Sequence, residues 1–90
     1  MALYFLHLRD ATNELLDLEG QEYATLSALR TAVLATVRDL MMGDLRDGVL
    51  DFHSRLDAQD QSGKIVHTLP FSRAVSIARE GSDLPLIRSN

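Results

Sequence analysis

Ninety residues allow one small domain, because a chain of this length buries only about 60 to 65% of the surface its unfolded form exposes and has no room for a second core. Hydrophobic residues make up 46% and charged residues 24%, which is a globular composition rather than a disordered one. Nine basic residues against thirteen acidic ones leave a net charge of −4, and this disfavours nucleic acid as a partner, since phosphate binding draws on a basic footprint.

Leu3 to Arg9 is a nearly unbroken apolar run, with Tyr4, Leu6 and Leu8 on one side and Leu3, Phe5 and His7 on the other. It predicts a strand covered on both faces. Asp10 to Asn13 carries turn residues, after which Leu16 and Leu18 alternate with Asp17 and Glu19 up to Gly20, predicting a short second strand and a hairpin. Thr25 is the N-cap candidate of a helix over Leu26–Asp47. Its apolar stripe is Leu26, Leu29, Val33, Val37 and Leu40, widened by Leu34, Met41 and Leu45. Gly48 suits the left-handed position that ends a helix, while Gly43 inside the last turns invites a kink or an early stop. Beyond it, Leu50, Phe52, Leu56 and Ala58 alternate with Asp51, His53, Arg55 and Asp57, the pattern of a half-wet strand. Gln59 to Gly63 turns the chain into a last strand, Lys64 to Phe71, with Ile65, Leu69 and Phe71 on one face beside His67 and with Pro70 near its end. Ser72 then opens a short helix through Ala78, stopped by Gly81.

The expected fold is α+β: a small antiparallel-rich sheet of three to four strands, one long helix packed on one face, and a short C-terminal helix. Residues 1–81 form the domain, and 82–90 a flexible C-terminal tail whose Leu84, Leu86 and Ile87 can dock on a neighbouring surface. Met1 to Leu8 lacks a basic lead and meets Arg9 and Asp10 at once, so it is not read as a signal segment. No stretch approaches the roughly 18 apolar residues of a membrane span. A cytoplasmic location without membrane attachment is the expectation.

Chemistry-bearing patterns are thin. The absence of cysteine removes disulfides, thiolate nucleophiles and thiolate zinc sites together. His7, His53 and His67 all fall on predicted strands but share no ligand spacing on one element, so structural or surface roles are expected and no metal. Asp10, Glu14, Asp17, Glu19 and Glu22 do not follow a calcium-loop register and read as a solvated approach to the helix. Arg9, Arg55, Arg73 and Arg79 with Tyr4 and Phe5 could make a local basic-aromatic patch, against the overall negative field. No nucleophile elbow, phosphate loop or His-Glu-x-x-His helix is present, and no enzyme activity, catalytic residue or cofactor is expected.

Three segments carry a family resemblance: Tyr4-Phe5-Leu6-His7-Leu8-Arg9-Asp10, Asp17-Leu18-Glu19-Gly20-Gln21-Glu22 and Thr68-Leu69-Pro70-Phe71-Ser72. Over about residues 3 to 78 the chain resembles a family of short alphaproteobacterial proteins described as a domain of unknown function. Members often have a second turn glycine where this chain has Ala11 to Asn13, a departure that bears on the first hairpin. The resemblance implies a single domain and no particular activity. Separately, an acidic-Gly stretch followed by Thr25-Leu26 opening an Ala-rich helix is similar to small antitoxins that neutralise an RNase toxin.

Function is then read from surface accounting. One helix covers one face of the sheet, so apolar area on the first strand calls for a second surface. The expectation is a noncatalytic interaction domain that self-associates, a homodimer, through Leu3, Phe5 and Met42, the last pointing away from the helix stripe. The alternative is a regulator that binds another protein, such as a toxin, or nucleic acid.

Overall fold

The computed structural model describes residues 1–76. The chain runs β1 (Ala2–Arg9), β2 (Glu14–Leu15), β3 (Gln21–Tyr23), α1 (Leu26–Asp47), β4 (Arg55–Asp60), β5 (Ile65–Pro70) and a 3-10 turn, Phe71–Arg73. The expected α+β class holds, with α1 laid on one face of an antiparallel sheet. Strand order is β2-β1-β4-β5, and β3 pairs with the same edge of β1 as β2, making five strands among the described residues rather than three or four.

The helix begins and ends where its caps are. Thr25 Oγ1 accepts from the Ala28 N–H at 3.0 Å, supplying a partner to one of the four amides that a helix start leaves unpaired. At the other end Gly48 takes φ 83°, its N–H donates to Leu45 O and the Val49 N–H to Asp44 O, the double bond of a Schellman stop. Gly43 causes no break between them. Leu29, Val33, Val37 and Met41, four residues apart, form the buried stripe. The expected stripe was too wide: Leu26, Leu40 and Leu45 are exposed. Leu26 and Leu40 stand about a quarter turn from the line of the buried stripe, and Leu45, four residues beyond Met41, continues it past the buried stretch.

Tyr4, Leu6 and Leu8 of β1 and Leu56 and Ala58 of β4 meet that stripe, joined by Phe71 and Ala74. The Phe71 N–H donates to Ser54 O, and Arg38 Nε donates to Ala74 O at 2.9 Å, tying the end of the described chain to α1.

Four expected elements shift. Leu16 to Glu19 is not a strand; β2 and β3 flank it. The half-wet strand starts only at Arg55, because the Asp51 carboxylate takes the His53 N–H in a local turn that holds the chain out of the ladder. In β5 a bulge pairs Ala58 with His67 but Gln59 with Ile65. That extra residue turns Val66 toward the core and leaves Ile65 exposed. Ser72 caps no α-helix: it sits inside the 3-10 turn, whose N-cap is Pro70 without a side-chain bond. The expected helix beyond Ser76 and the 82–90 tail fall outside the described residues.

Candidate functional site

The face of the sheet that lacks the helix carries a connected set of polar side chains. β1 has a gap in its outer pairing: Tyr4 pairs with β3 and Leu8 with β2, and between them the neighbouring chain loops out. Two side chains close the gap reciprocally. The Leu6 N–H donates to Asp17 Oδ2 at 3.2 Å, and the Asp17 N–H donates to His7 Nδ1 at 3.0 Å. Asp17 Oδ1 also accepts from the Glu19 and Gly20 N–H groups, both at 3.1 Å. These bonds, led by the one from Gly20, hold the Asp17 carboxyl below its ordinary range despite partial burial. Gly20 adopts φ 75°, and a Cβ there would lie 2.9 Å from both Tyr4 O and the Phe5 ring. Glycine is required on both counts.

The second half of the set is an ion-pair cluster. Asp57 is 4% exposed on the side of β4 that alternation marks as wet. Its Oδ2 accepts from Arg9 Nη1 at 2.8 Å and from Arg55 Nε at 3.2 Å, and its Oδ1 accepts from Thr68 Oγ1 at 2.8 Å. Arg9 Nε donates in turn to Glu14 at 2.9 Å. Burial works against the charge on Asp57, but the bonds from Arg9, Thr68 and Arg55 together outweigh it and leave the carboxyl below its usual range. The seam thus joins β2, β1, β4 and β5 through side chains alone.

Spacing did not reveal Asp57, because alternation reads every polar residue on a strand as solvated. The Asp17-x-x-Gly20 interval is the signal that could have found the loop, since it matches a carboxylate capping two later amides ahead of a left-handed glycine.

The interface candidates fall in different layers. Leu3 and Phe5 are half-buried on the face away from α1, Phe5 lying nearly parallel to His7 with ring centroids 6.5 Å apart. Met42 stands 54% exposed on the outer side of α1, so the structure does not bring it to the other two. Part of the cover sought for Phe5 comes from the chain itself, through Gly20. Of the histidines, His7 is buried in the seam, His53 is exposed beside Asp51, and His67 is half-buried opposite Ala58. Among the described residues no three His, Asp or Glu side chains gather as a metal site. Arg9 and Arg55 face carboxylates, and Arg79 lies outside the described residues.

Among the described residues a further stretch of exposed apolar surface lies along the edge where α1 overhangs β1 and β2. Leu6, Leu8, Leu15, Leu16 and Leu40 line a groove of about 220 Å³ there. Leu15 is 69% exposed, and Leu16 and Leu40 are exposed as well.

Helix-on-sheet packing with a polar seam on the face away from α1 defines a small two-layer α+β domain. The chain belongs to the family described as a domain of unknown function, DUF6894, which matches residues 3–72. No curated protein and no solved structure matches it. The three segments that carry the family resemblance meet in this fold. The first supplies His7 and Arg9, the second Asp17 and Gly20, and the third Thr68 on Asp57 and Phe71 in the core. Among the described residues no helix is long and apolar enough to cross a membrane.

Proposed function

We propose that the domain is a noncatalytic module that self-associates, and that it does so along the groove between α1 and the β2 edge. The supporting observation is the row Leu15, Leu16 and Leu40 exposed above Leu6 and Leu8. It is contiguous apolar surface of the kind that marks an interaction site. Two copies related by a twofold axis would pack this row against itself. The seam supports a noncatalytic reading, because Asp57 and Arg9 are committed to each other and to their neighbours. Nucleic acid is not the partner in this reading, since Arg9 and Arg55 spend their charge on Asp57.

Light scattering and sedimentation of the full chain test it. A dimer is expected at high micromolar concentration, weakened at least about tenfold by Leu40→Asp, which places a charge in the centre of an apolar contact. Met42→Asp, on another side of the helix, separates the groove from a contact made by the outer helix face. A wild-type monomer at that concentration overturns the proposal.

A further inference from the structure

His7 is 6% exposed, and it does its work through one ring nitrogen. Nδ1 accepts the Asp17 N–H, which only the neutral imidazole with its proton on Nε2 can do. The imidazolium carries a proton on both nitrogens and accepts at neither. Proton uptake therefore sets two N–H groups against each other at the point where the loop is held to β1.

The charges around the ring decide how the loop responds. Asp57 stands opposite His7 in the ladder, but its oxygens are taken by Arg9, Arg55 and Thr68. Arg9, two residues along β1, is neutralised by Asp57 and Glu14. Asp17 remains, its carboxylate engaged among the described residues with backbone amides: those of Leu6, Glu19 and Gly20. A charged His7 repels the Asp17 amide and attracts the Asp17 carboxylate. The bonds from Leu6 to Asp17 and from Asp17 to His7 cannot both persist.

We propose that the Asp17–Gly20 loop is tied to β1 by an acid-sensitive latch: when His7 takes up a proton, its Nδ1 no longer accepts the Asp17 N–H and that tie to β1 opens. Gly20 is the part of the loop that rests on Phe5. Leu16, beside Asp17, belongs to the apolar edge, so release also disturbs that surface. This last consequence rests on the docking reading, whereas the latch does not.

Solution NMR on dilute, isotope-labelled full chain separates the two. The His7 ring nitrogens and the exchange protection of the Asp17 and Leu6 amides are followed from about pH 8 to about pH 5, the range in which histidine changes charge. Protection of the Asp17 amide, corrected for intrinsic rates, is expected to fall at least about tenfold with the same midpoint as the His7 nitrogens, while amides of α1 keep theirs. His7→Asn offers a carboxamide oxygen near the place of Nδ1 and does not titrate, so its Asp17 amide stays protected throughout. The latch is overturned if His7 titrates without a change at Asp17, if His7 stays neutral to the end of the range, or if His7→Asn shows the same loss. Should His7→Asn not fold, the wild-type titration decides alone.

Discussion

Arg9 Nη1 lies 2.8 Å from Asp57 Oδ2, a bond between the first strand and a strand that follows the helix. It stands diagonally across the ladder, because Asp57 is opposite His7 and Arg9 is opposite Arg55. One carboxylate thus sits between two guanidiniums and a hydroxyl on a face the helix never touches.

Removing that carboxylate takes from Arg9, at 21% side-chain exposure, and from Arg55 their shared partner, while Arg9 keeps Glu14. Breaking a fully buried pair costs about 3 to 5 kcal/mol. Here both arginines keep access to water, so Asp57→Ala is expected to cost about 2 kcal/mol. Urea denaturation measures it, and a loss within about 0.5 kcal/mol, typical of surface positions, contradicts the buried cluster.

The same carboxylate shapes the response to acid. Asp57 is held below its ordinary range against the opposing effect of burial, and Asp17 lies below it chiefly through the Gly20 amide. The unfolded chain therefore binds these protons first as pH falls. Their contribution is complete above about pH 4, where unfolded carboxylates ionise, and is lost progressively as pH drops through that value toward the lower folded one. Asp57→Asn removes one such group. Its stability is expected to fall less steeply than wild type below about pH 4, read as a shallower acid limb in denaturant midpoint against pH.

Three glycines separate space from backbone strain. Gly43 is helical with nothing within 4 Å of an added Cβ, so Gly43→Ala is expected to stabilise by about 0.5 to 1 kcal/mol. Gly63 has φ 91° and open space, so Gly63→Ala carries only the left-handed penalty of about 1 to 2 kcal/mol. Gly20 has φ 75° and also a carbonyl oxygen 2.9 Å away. Gly20→Ala must then exceed Gly63→Ala, by about 1 kcal/mol or more for the overpacked contact. Thermal melts of the three variants give the ranking, and equal losses at Gly20 and Gly63 refute the close packing of the loop on β1.

How much of the fold is legible in the residues depends on how local each signal is. The helix was legible to its ends because its caps, Thr25 and Gly48, and its four-residue repeat lie within one segment. β1 was legible for the same reason. The loop at Leu16 to Gly20 was not, since an alternating leucine and acid pattern has the period of a strand while Leu18 is in fact 84% exposed. There the Asp17 side chain substitutes for strand pairing. The seam was illegible because Arg9, Asp57 and Thr68 are brought together only by the strand order, which periodicity does not encode.

The bulge in β5 makes the sharpest test of register. With Gln59 opposite Ile65 and Ala58 opposite His67, Val66 packs against the core and Ile65 faces out. An unbulged strand would place Ile65 on the side of His67 and Leu69, with Val66 on the other, since side chains alternate. A hydroxyl in place of an alkyl branch, the ethyl of isoleucine or a methyl of valine, is costly only where water is absent. Ile65→Thr is therefore expected to change stability by no more than about 0.5 kcal/mol, and Val66→Thr to lower it by about 1 kcal/mol, the lower end for a half-buried hydroxyl. Denaturant midpoints in the reverse order would mean that the ladder runs without the bulge, and that Ile65 belongs to the core.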